Sequence, residues 1–587
     1  MNSETKTHST SSVQACQNCK QDFVVEPEDF NFYEKIQVPP PTWCPDCRAL
    51  RRLIWRNERS LYHNKCAFSG KNIISVFAPE TKLTVYDRDI WWGDKWDPLA
   101  YGQEYDFSKP FFEQYKELLS KIPLPNVGNV NCTKSEYGNH NTDCKNCYLT
   151  YATFGGENIS YSQGATYAKD SFDLYTVLKT EKCYEDVICT GLFNTHFSYD
   201  SDDSIDSKFL TSCLNVQSSL GCINLRHKTH HIFNEPYTKE DYEKEVKKYN
   251  FGSFNELNQF KEKYKKFLLN HPRRHSQILK SVNVTGDNVM TSKNSKMVFN
   301  IFGELEDSKY IVHAMNVKNC YDGYGLGLRS ELMYECVDAG IDAYQEKFGI
   351  ITHTCLNSNY TYLCFSSQNL FGCIGLRQQE YCILNKKYTK EEYEKLLPKI
   401  IEHMNAMPYV DQKGRVYKYG EFFPPEISPF AYNETIAHEY YPLDKDGAKK
   451  FGFRWKERAE RNYEIEILPE DLLDHVRDAD ESLIGKVIGC AHKGECNEQC
   501  TEAFKIRAED LEFYKRMNFA LPRLCPNCRH FARLKQRNPF KLWHRQCMCD
   551  KKHPHHEGRC EVEFETSYAP DRPEIVYCEK CYQQEVY

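Results

Sequence analysis

Cys16-x2-Cys19 and Cys44-x2-Cys47 stand 24 residues apart near the start of the chain. Each knuckle turn aims two thiolates at one point, and four thiolates in that arrangement suit a closed, tetrahedral zinc site. A second set, Cys496-x3-Cys500 with Cys525-x2-Cys528, lies near the other end. Beyond it, Cys547-x-Cys549 and Cys578-x2-Cys581 offer a third four-cysteine site. His553, His555, His556 and Cys560 lie between those two pairs as alternative ligands. The expectation is one zinc at the N-terminus and two at the C-terminus, about three ions in all.

The two ends are copies of each other. At a constant offset of 481, Phe23 falls on Phe504, Glu28-Asp29 on Glu509-Asp510, and Phe32-Tyr33 on Phe513-Tyr514. The agreement continues through Pro41 and Pro522, Cys44 to Arg48 against Cys525 to Arg529, Arg56-Asn57 against Arg537-Asn538, Leu61 and Leu542, His63 and His544, and Cys66 and Cys547. Past that point the offset sets Cys66, Phe68, Asp97 and Ala100 against the last four cysteines, so the N-terminal copy is expected to have lost its second metal. Trp91, Trp92 and Trp96 would then pack where the other copy holds an ion.

The string Cys16, Cys19, Phe23, Glu28, Asp29, Phe32, Tyr33, Pro41, Cys44, Cys47 and Arg48 resembles the short bacterial zinc-ribbon or treble-clef modules of the zf-trcl type. The resemblance spans about 35 residues in each copy and implies a metal-binding module. The whole chain resembles large, cysteine-rich zinc-ribbon proteins predicted from uncultured bacteria. The segments that carry this likeness are Trp91 to Asp97, Asp106 to Gln114, Gly420 to Thr435 and Ser567 to Tyr582. That likeness implies an architecture and brings no established activity.

The elements that must hold these modules are mostly β. The 587 residues include 28 Cys, 40 Tyr and 34 Phe but only 9 Met, a composition that favours short strands and turns. A second duplication fills the middle. Gly221-Cys-Ile-Asn-Leu-Arg226 recurs as Gly372-Cys-Ile-Gly-Leu-Arg377 at an offset of 151, which Tyr184-Glu185 and Tyr334-Glu335 nearly share. Within each copy an aromatic or small residue returns about every 12 residues. The first series runs Tyr148, Tyr161, Phe172, Tyr184, Phe197, Phe209 and Gly221; the second runs Val298, Tyr310, Tyr321, Tyr334, Phe348, Tyr360 and Gly372.

That rhythm predicts a β-solenoid, with a meandering sheet of the same spacing as the alternative. Cys147, Cys183, Cys213, Cys222, Cys320, Cys336, Cys355, Cys364 and Cys373 then read as small buried ladder residues. Thr238 and Thr389, each followed three residues on by an acid, predict helix N-termini closing both copies. The first helix is expected to run on through Phe254 to Leu269.

The expected fold is therefore mainly β and multidomain, α+β overall: two related β-solenoid-like units with helical appendages, flanked by two related zinc modules. The divisions are 1–125 (zinc module with aromatic extension), 126–236 (first unit), 237–280 (helical segment), 281–387 (second unit), 388–480 (helix, Pro- and aromatic-rich loop, charged linker) and 481–587 (double zinc module). Gly420 to Asn433 reads as a loop packed on a neighbouring domain, with a binding loop as the alternative. The stretch after it, to about 480, reads as a helix-prone linker.

The polar start of the chain lacks the apolar core of a secretory signal, and no run of 18 apolar residues exists. Abundant cysteine without a signal is expected of a reducing, cytoplasmic setting. No Walker A loop, G-x-S-x-G elbow or H-E-x-x-H is present, so no reaction is indicated. The net charge is −7, yet Phe513 to Cys549 carries nine Lys or Arg and no acid. Arg529, Arg533, Lys535, Arg537, Lys541 and Arg545, with Trp543 interleaved, are the expected nucleic-acid contacts. Nucleic acid leads narrowly over a protein partner bound on the repeats, with the zinc modules as end caps. A carbohydrate-active site at Tyr199 to Asp203 comes third.

Overall fold

Twelve-residue turns, stacked in parallel, form the centre of the molecule. In the computed structural model, which describes residues 10–458 and 463–587, Tyr148 pairs with Ser160, Ser160 with Phe172, Phe172 with Tyr184, and so on to Ile232. Parallel pairing at a fixed step requires a solenoid and excludes the meander. The segments expected as a non-signal start (1–9) and part of the charged linker (459–462) lie outside the described residues.

A finer period of three underlies the twelve. One turn bridges the next at Ser160, Gln163, Thr166 and Lys169, giving four short sides. The residue after each bridge turns a corner at positive φ: Tyr161, Gly164, Tyr167 and Asp170. The next residue points inward: Ser162, Ala165, Ala168 and Ser171 are at most 1% exposed. Four side chains share the interior of each turn, so Ser, Ala and Cys recur there among larger apolar residues such as Leu174, Val177 and Leu192. Asn and Asp recur at the corners because they tolerate left-handed backbone best among non-glycine residues. Asn146, Asn158 and Asp170 form such a corner ladder, linked at 2.9 and 2.7 Å.

The inward polar atoms satisfy backbone groups that the short sides leave unpaired. Ser171 Oγ donates to the Lys169 carbonyl and accepts from the Cys183 N–H. Cys183 Sγ in turn donates to the carbonyls of Glu181 and Leu192. Cys213, Cys222, Cys355, Cys364 and Cys373 repeat this pattern, and all nine expected ladder cysteines are buried.

The second unit uses the same turns but is less regular. Tyr321 pairs with Tyr334 and Tyr334 with Lys347, steps of 13 where the first unit keeps 12. These insertions explain why the offset between units drifts from 149 near Tyr310 to 151 at Gly372. Helices follow each unit as the caps predict. Lys239–Val246 starts at Thr238, whose side chain accepts from the Asp241 N–H, and Lys390–Ala406 starts at Thr389 in a capping box. The first helical stretch is broken, however: a separate helix, Phe254–Leu269, begins at its own cap, Ser253. Phe260 and Tyr264 bury its apolar stripe against Phe209 of the repeats.

Gly420 to Asn433 packs as a loop, with Phe422 and Phe423 fully buried. The stretch after it is not the expected helical linker. Among the described residues it forms the short helices Ile436–Tyr440 and Lys445–Lys450 and a single 3-10 turn, Val476–Asp478, and it meets the C-terminal module at the bridges Ile467 to Ile488 and Ile484 to Ile506. Its apolar residues bind it to the module, overriding helix propensity. No helix of the described residues is long and apolar enough to cross a membrane.

Candidate metal centres and their docking on the repeats

Three clusters of four cysteines, each with all Sγ atoms within 4.8 Å of one another, lie at the two ends of the chain. The first is Cys16, Cys19, Cys44 and Cys47, as the spacing predicts. The local build explains it. Strands Ser12–Ala15 and Asp22–Val25 form a hairpin whose turn carries the first pair. Cys44 then caps the helix Pro45–Leu53, whose first turn carries the second pair. The Cys44 N–H donates to Cys16 Sγ at 3.2 Å, so the helix N-terminus favours thiolate charge there. Sulfur–sulfur hydrogen bonds from Cys44 and Cys47 hold the Cys16 thiol far below its ordinary value.

The second cluster is Cys490, Cys500, Cys525 and Cys528. Cys490 takes the place expected for Cys496, and the spacing gave no warning of it. The reason is an insertion inside the knuckle: residues 491–499 loop out between the first and second ligands. Cys490 follows its strand as Cys16 does, and its Sγ accepts from the Cys525 N–H at 3.3 Å. Cys496 sits within the looped insertion, half-buried, with its Sγ 3.7 Å from Cys528.

The third cluster is Cys547, Cys560, Cys578 and Cys581. Here Cys560 replaces the expected Cys549, again because a loop is inserted in the knuckle. Cys547 Sγ accepts from the Cys578 N–H at 3.2 Å. Cys549 lies outside this quartet.

The same frame occurs a fourth time, around Cys66. The Asp87 N–H donates to Cys66 Sγ at 3.2 Å, as Cys44, Cys525 and Cys578 do in the other three. The Cys66 N–H donates to Lys71, matching Cys16 to Gln21, Cys490 to Glu502 and Cys547 to Val562. The positions equivalent to the other cysteines are thus Ser69, Asp87 and Ile90, and not Phe68, Asp97 and Ala100. One thiolate with a serine, an aspartate and an isoleucine is a poor set for a thiophilic ion. Of the three tryptophans, Trp91 is fully buried against Trp92 and Trp96, with Arg377 over all three rings, while Trp92 is exposed.

Each metal module docks on the repeat unit remote from it in sequence. The N-terminal module lies along the second unit, where Arg48 and Arg52 both reach Asp322. The C-terminal module lies along the first unit, where Arg529 and Arg533 both reach Asp173. Phe32 stacks on Tyr321 at 3.9 Å and Phe513 on Phe172 at 4.0 Å. Arg48 lies over Tyr310, and Arg529 over Tyr161. The modules cover the aromatic side of the turns, and the extension of the N-terminal module also covers the last turn of the second unit, where Asn385 Nδ2 donates to the Pro98 carbonyl and the Gln103 N–H to the Leu384 carbonyl. Tyr161, Tyr184, Tyr321 and Tyr334 are therefore buried and offer no exposed tyrosine face.

This docking also accounts for the basic stretch expected to contact nucleic acid. Arg529 and Arg533 are buried on Asp173. Arg537 is buried between Tyr440 and Phe540. Lys535 pairs with Glu498, Arg545 donates to the carbonyls of Tyr568 and Ala569, and Lys541 lies over the half-buried Trp543. Arg529 and Arg533 point into the molecule on the buried side of the helix Pro526–Leu534, and Arg537 is buried beyond it, whereas Lys535 and Lys541 remain exposed.

A cleft of about 1000 Å³ opens between the N-terminal module, the first unit and the C-terminal module. Arg59, Lys456, Arg458, Lys505 and Arg507 line it, with Glu434 and Glu457 as its acids. Arg59 is 7% exposed, and its Nε and Nη1 have no hydrogen-bond partner among the described residues. Tyr62, Tyr148 and Trp455 stand in its walls.

No family model matches this chain, and no curated protein is similar to it. Among solved structures, one described as an acetyltransferase from Desulfovibrio desulfuricans G20 aligns at 12% identity over 49% of this chain and 86% of that one. Its TM-score is 0.10, and the likeness supports no argument about fold or activity.

Proposed function

We propose that this protein is a non-catalytic scaffold whose repeats are clamped by three zinc-loaded modules of treble-clef type. A hairpin supplying two ligands and a helix N-terminus supplying two more is the arrangement such modules use. Four thiolates select a soft, tetrahedral ion and leave no open position for substrate. The observation that carries the reading is the pairing of both module helices with Asp173 and Asp322, which spends the basic residues on the repeats. The test is metal content and stability of the full chain. About three or more zinc ions per chain are expected, and chelation should expose the aromatic side to a hydrophobic dye. A chelated protein that melts unchanged would overturn the clamp.

A second reading concerns the partner. The cleft, with the unsatisfied Arg59, an excess of cations and aromatic walls, supports an anionic ligand, and single-stranded nucleic acid fits that chemistry. This moves the nucleic-acid reading from the basic stretch to the cleft. Binding of the full chain to short RNA and DNA should weaken steeply with salt, and further in Lys505→Glu. No binding at low salt would leave a protein partner as the remaining class.

A further inference from the structure

The third cysteine cluster carries more donors than one ion can use. Around Cys581 lie five thiols and three imidazoles: Cys547, Cys549, Cys560, Cys578, Cys581, His553, His555 and His556. Cys547, Cys560, Cys578 and Cys581 form one set within 4.8 Å, and Cys549, His553, His556 and Cys581 form another. We propose that the C-terminal module holds a two-ion zinc cluster, in which Cys549, His553 and His556 bind a second zinc and the Cys581 thiolate bridges both ions. The proposal rests on the zinc reading of the first quartet and adds a site of different composition beside it.

The distances suit such a cluster. Tetrahedral zinc bonds of about 2.0–2.3 Å set ligand atoms roughly 3.3–3.8 Å apart. His556 Nε2 lies 3.2 Å from Cys581 Sγ, and Cys560 Sγ lies 3.9 Å from Cys578 Sγ. The His556 ring is set for ligation, since its Nδ1 faces the Gly558 carbonyl at 2.9 Å. A proton donated there leaves the Nε2 lone pair directed at the site, which is how metal-bound imidazoles are oriented.

His553 gives the independent sign. Its side chain is buried, yet its Nε2 has no hydrogen-bond partner among the described residues. Glu585 Oε1 lies 3.5 Å from that atom, an ion-pair separation too long for a hydrogen bond. Cys549 is fully buried beside them. A buried imidazole nitrogen without a hydrogen-bond partner is costly unless a ligand completes it. His555 is exposed, and the set it forms with His556, Cys560 and Cys581 draws on Cys560 of the first quartet, so it is left outside the four donors.

Chemically the second set is two thiolates and two imidazoles, one thiolate being shared. A bridging thiolate divides its charge between the two cations of the cluster, so loading of one site is coupled to loading of the other. The loop holding the three histidines, residues 550–559, has little apolar content, and metal ligation is what would fix it.

The experiment counts zinc in the full chain by elemental mass spectrometry after gel filtration. Wild type is expected to hold about four ions. The double variant His553→Ala/His556→Ala should lose about one, with the melting transition of the rest preserved. Cys549→Ser should lose the same ion, and His555→Ala should lose none. In cadmium-exchanged protein, two of the resonances should show metal–metal coupling through the shared Cys581 sulfur. Three ions in wild type and an unchanged count in the double variant would overturn the two-ion cluster alone. A count below three in wild type would overturn the zinc reading as well.

Discussion

Arg529 Nε lies 3.1 Å from Asp173 Oδ1, across 356 positions of sequence. Asp173 is fully buried and also receives Arg533 at 2.7 Å, so one carboxylate is shared by two guanidinium groups inside the molecule. Asp322 plays the same part for Arg48 and Arg52. Removing the carboxylate strands two buried cations, which costs about 3–5 kcal/mol for each pair broken. Asp173→Asn should therefore free the C-terminal module from the repeats. Limited proteolysis near residue 463 and a lower melting temperature would show it; unchanged proteolysis would refute the clamp.

The two candidate cysteines for the second centre can be separated by single substitutions. Cys490→Ser should cost one zinc ion and destabilise the C-terminal module, because Cys490 Sγ also accepts the Cys525 N–H. Cys496→Ser should keep the full metal content. Zinc counts on the two purified variants decide the assignment, and the reverse result would restore Cys496.

Glu346 sets a pH dependence. It is fully buried, and burial raises its carboxyl from 4.5 to about 7, while Thr352 and Thr361 donate hydrogen bonds to it. Between those values the unfolded chain has lost the proton and the folded chain keeps it. Stability from this group is thus fully present below pH 4.5 and falls as pH rises toward 7. The shift corresponds to roughly 3 kcal/mol. Glu346→Gln should raise the melting temperature at pH 8 relative to wild type and leave it little changed at pH 5. Equal effects at both values would count against a protonated Glu346.

The inward cysteines make a prediction about size. Cys183→Ser keeps a donor for the Glu181 and Leu192 carbonyls and should cost little. Cys183→Leu forces a larger side chain into an interior already filled by Leu174, Val177 and Leu192, costing about 1–3 kcal/mol. Denaturant melts of the two variants test this, and equal stability would mean the interior has spare room.

Much of this was legible in the residues. Cys16, Cys19, Cys44 and Cys47 sit at spacings that local turns alone bring together. Thr238 and Thr389 cap their helices with groups three residues away. The return of an aromatic or small residue about every 12 positions reports a turn of fixed length. The deeper period of three was visible too, in Ser198, Ser201, Ser204 and Ser207, but serine reads as a loop residue when taken singly.

Sequence by itself determined the duplications, the repeat length, the helix caps and the cysteine knuckles, because each depends on residues a few positions apart or on exact recurrence. Tertiary structure decided the rest. Cys490 and Cys560 complete their clusters only because inserted loops fold out of the way and leave distant thiols adjacent. Arg529, Arg533 and Arg537 of the basic stretch turn inward because acids and aromatics elsewhere in the chain meet them, while Lys535 and Lys541 stay exposed. Burial of a charge is decided by the partner that neutralises it, and Asp173 becomes that partner only when the module lies on the turns.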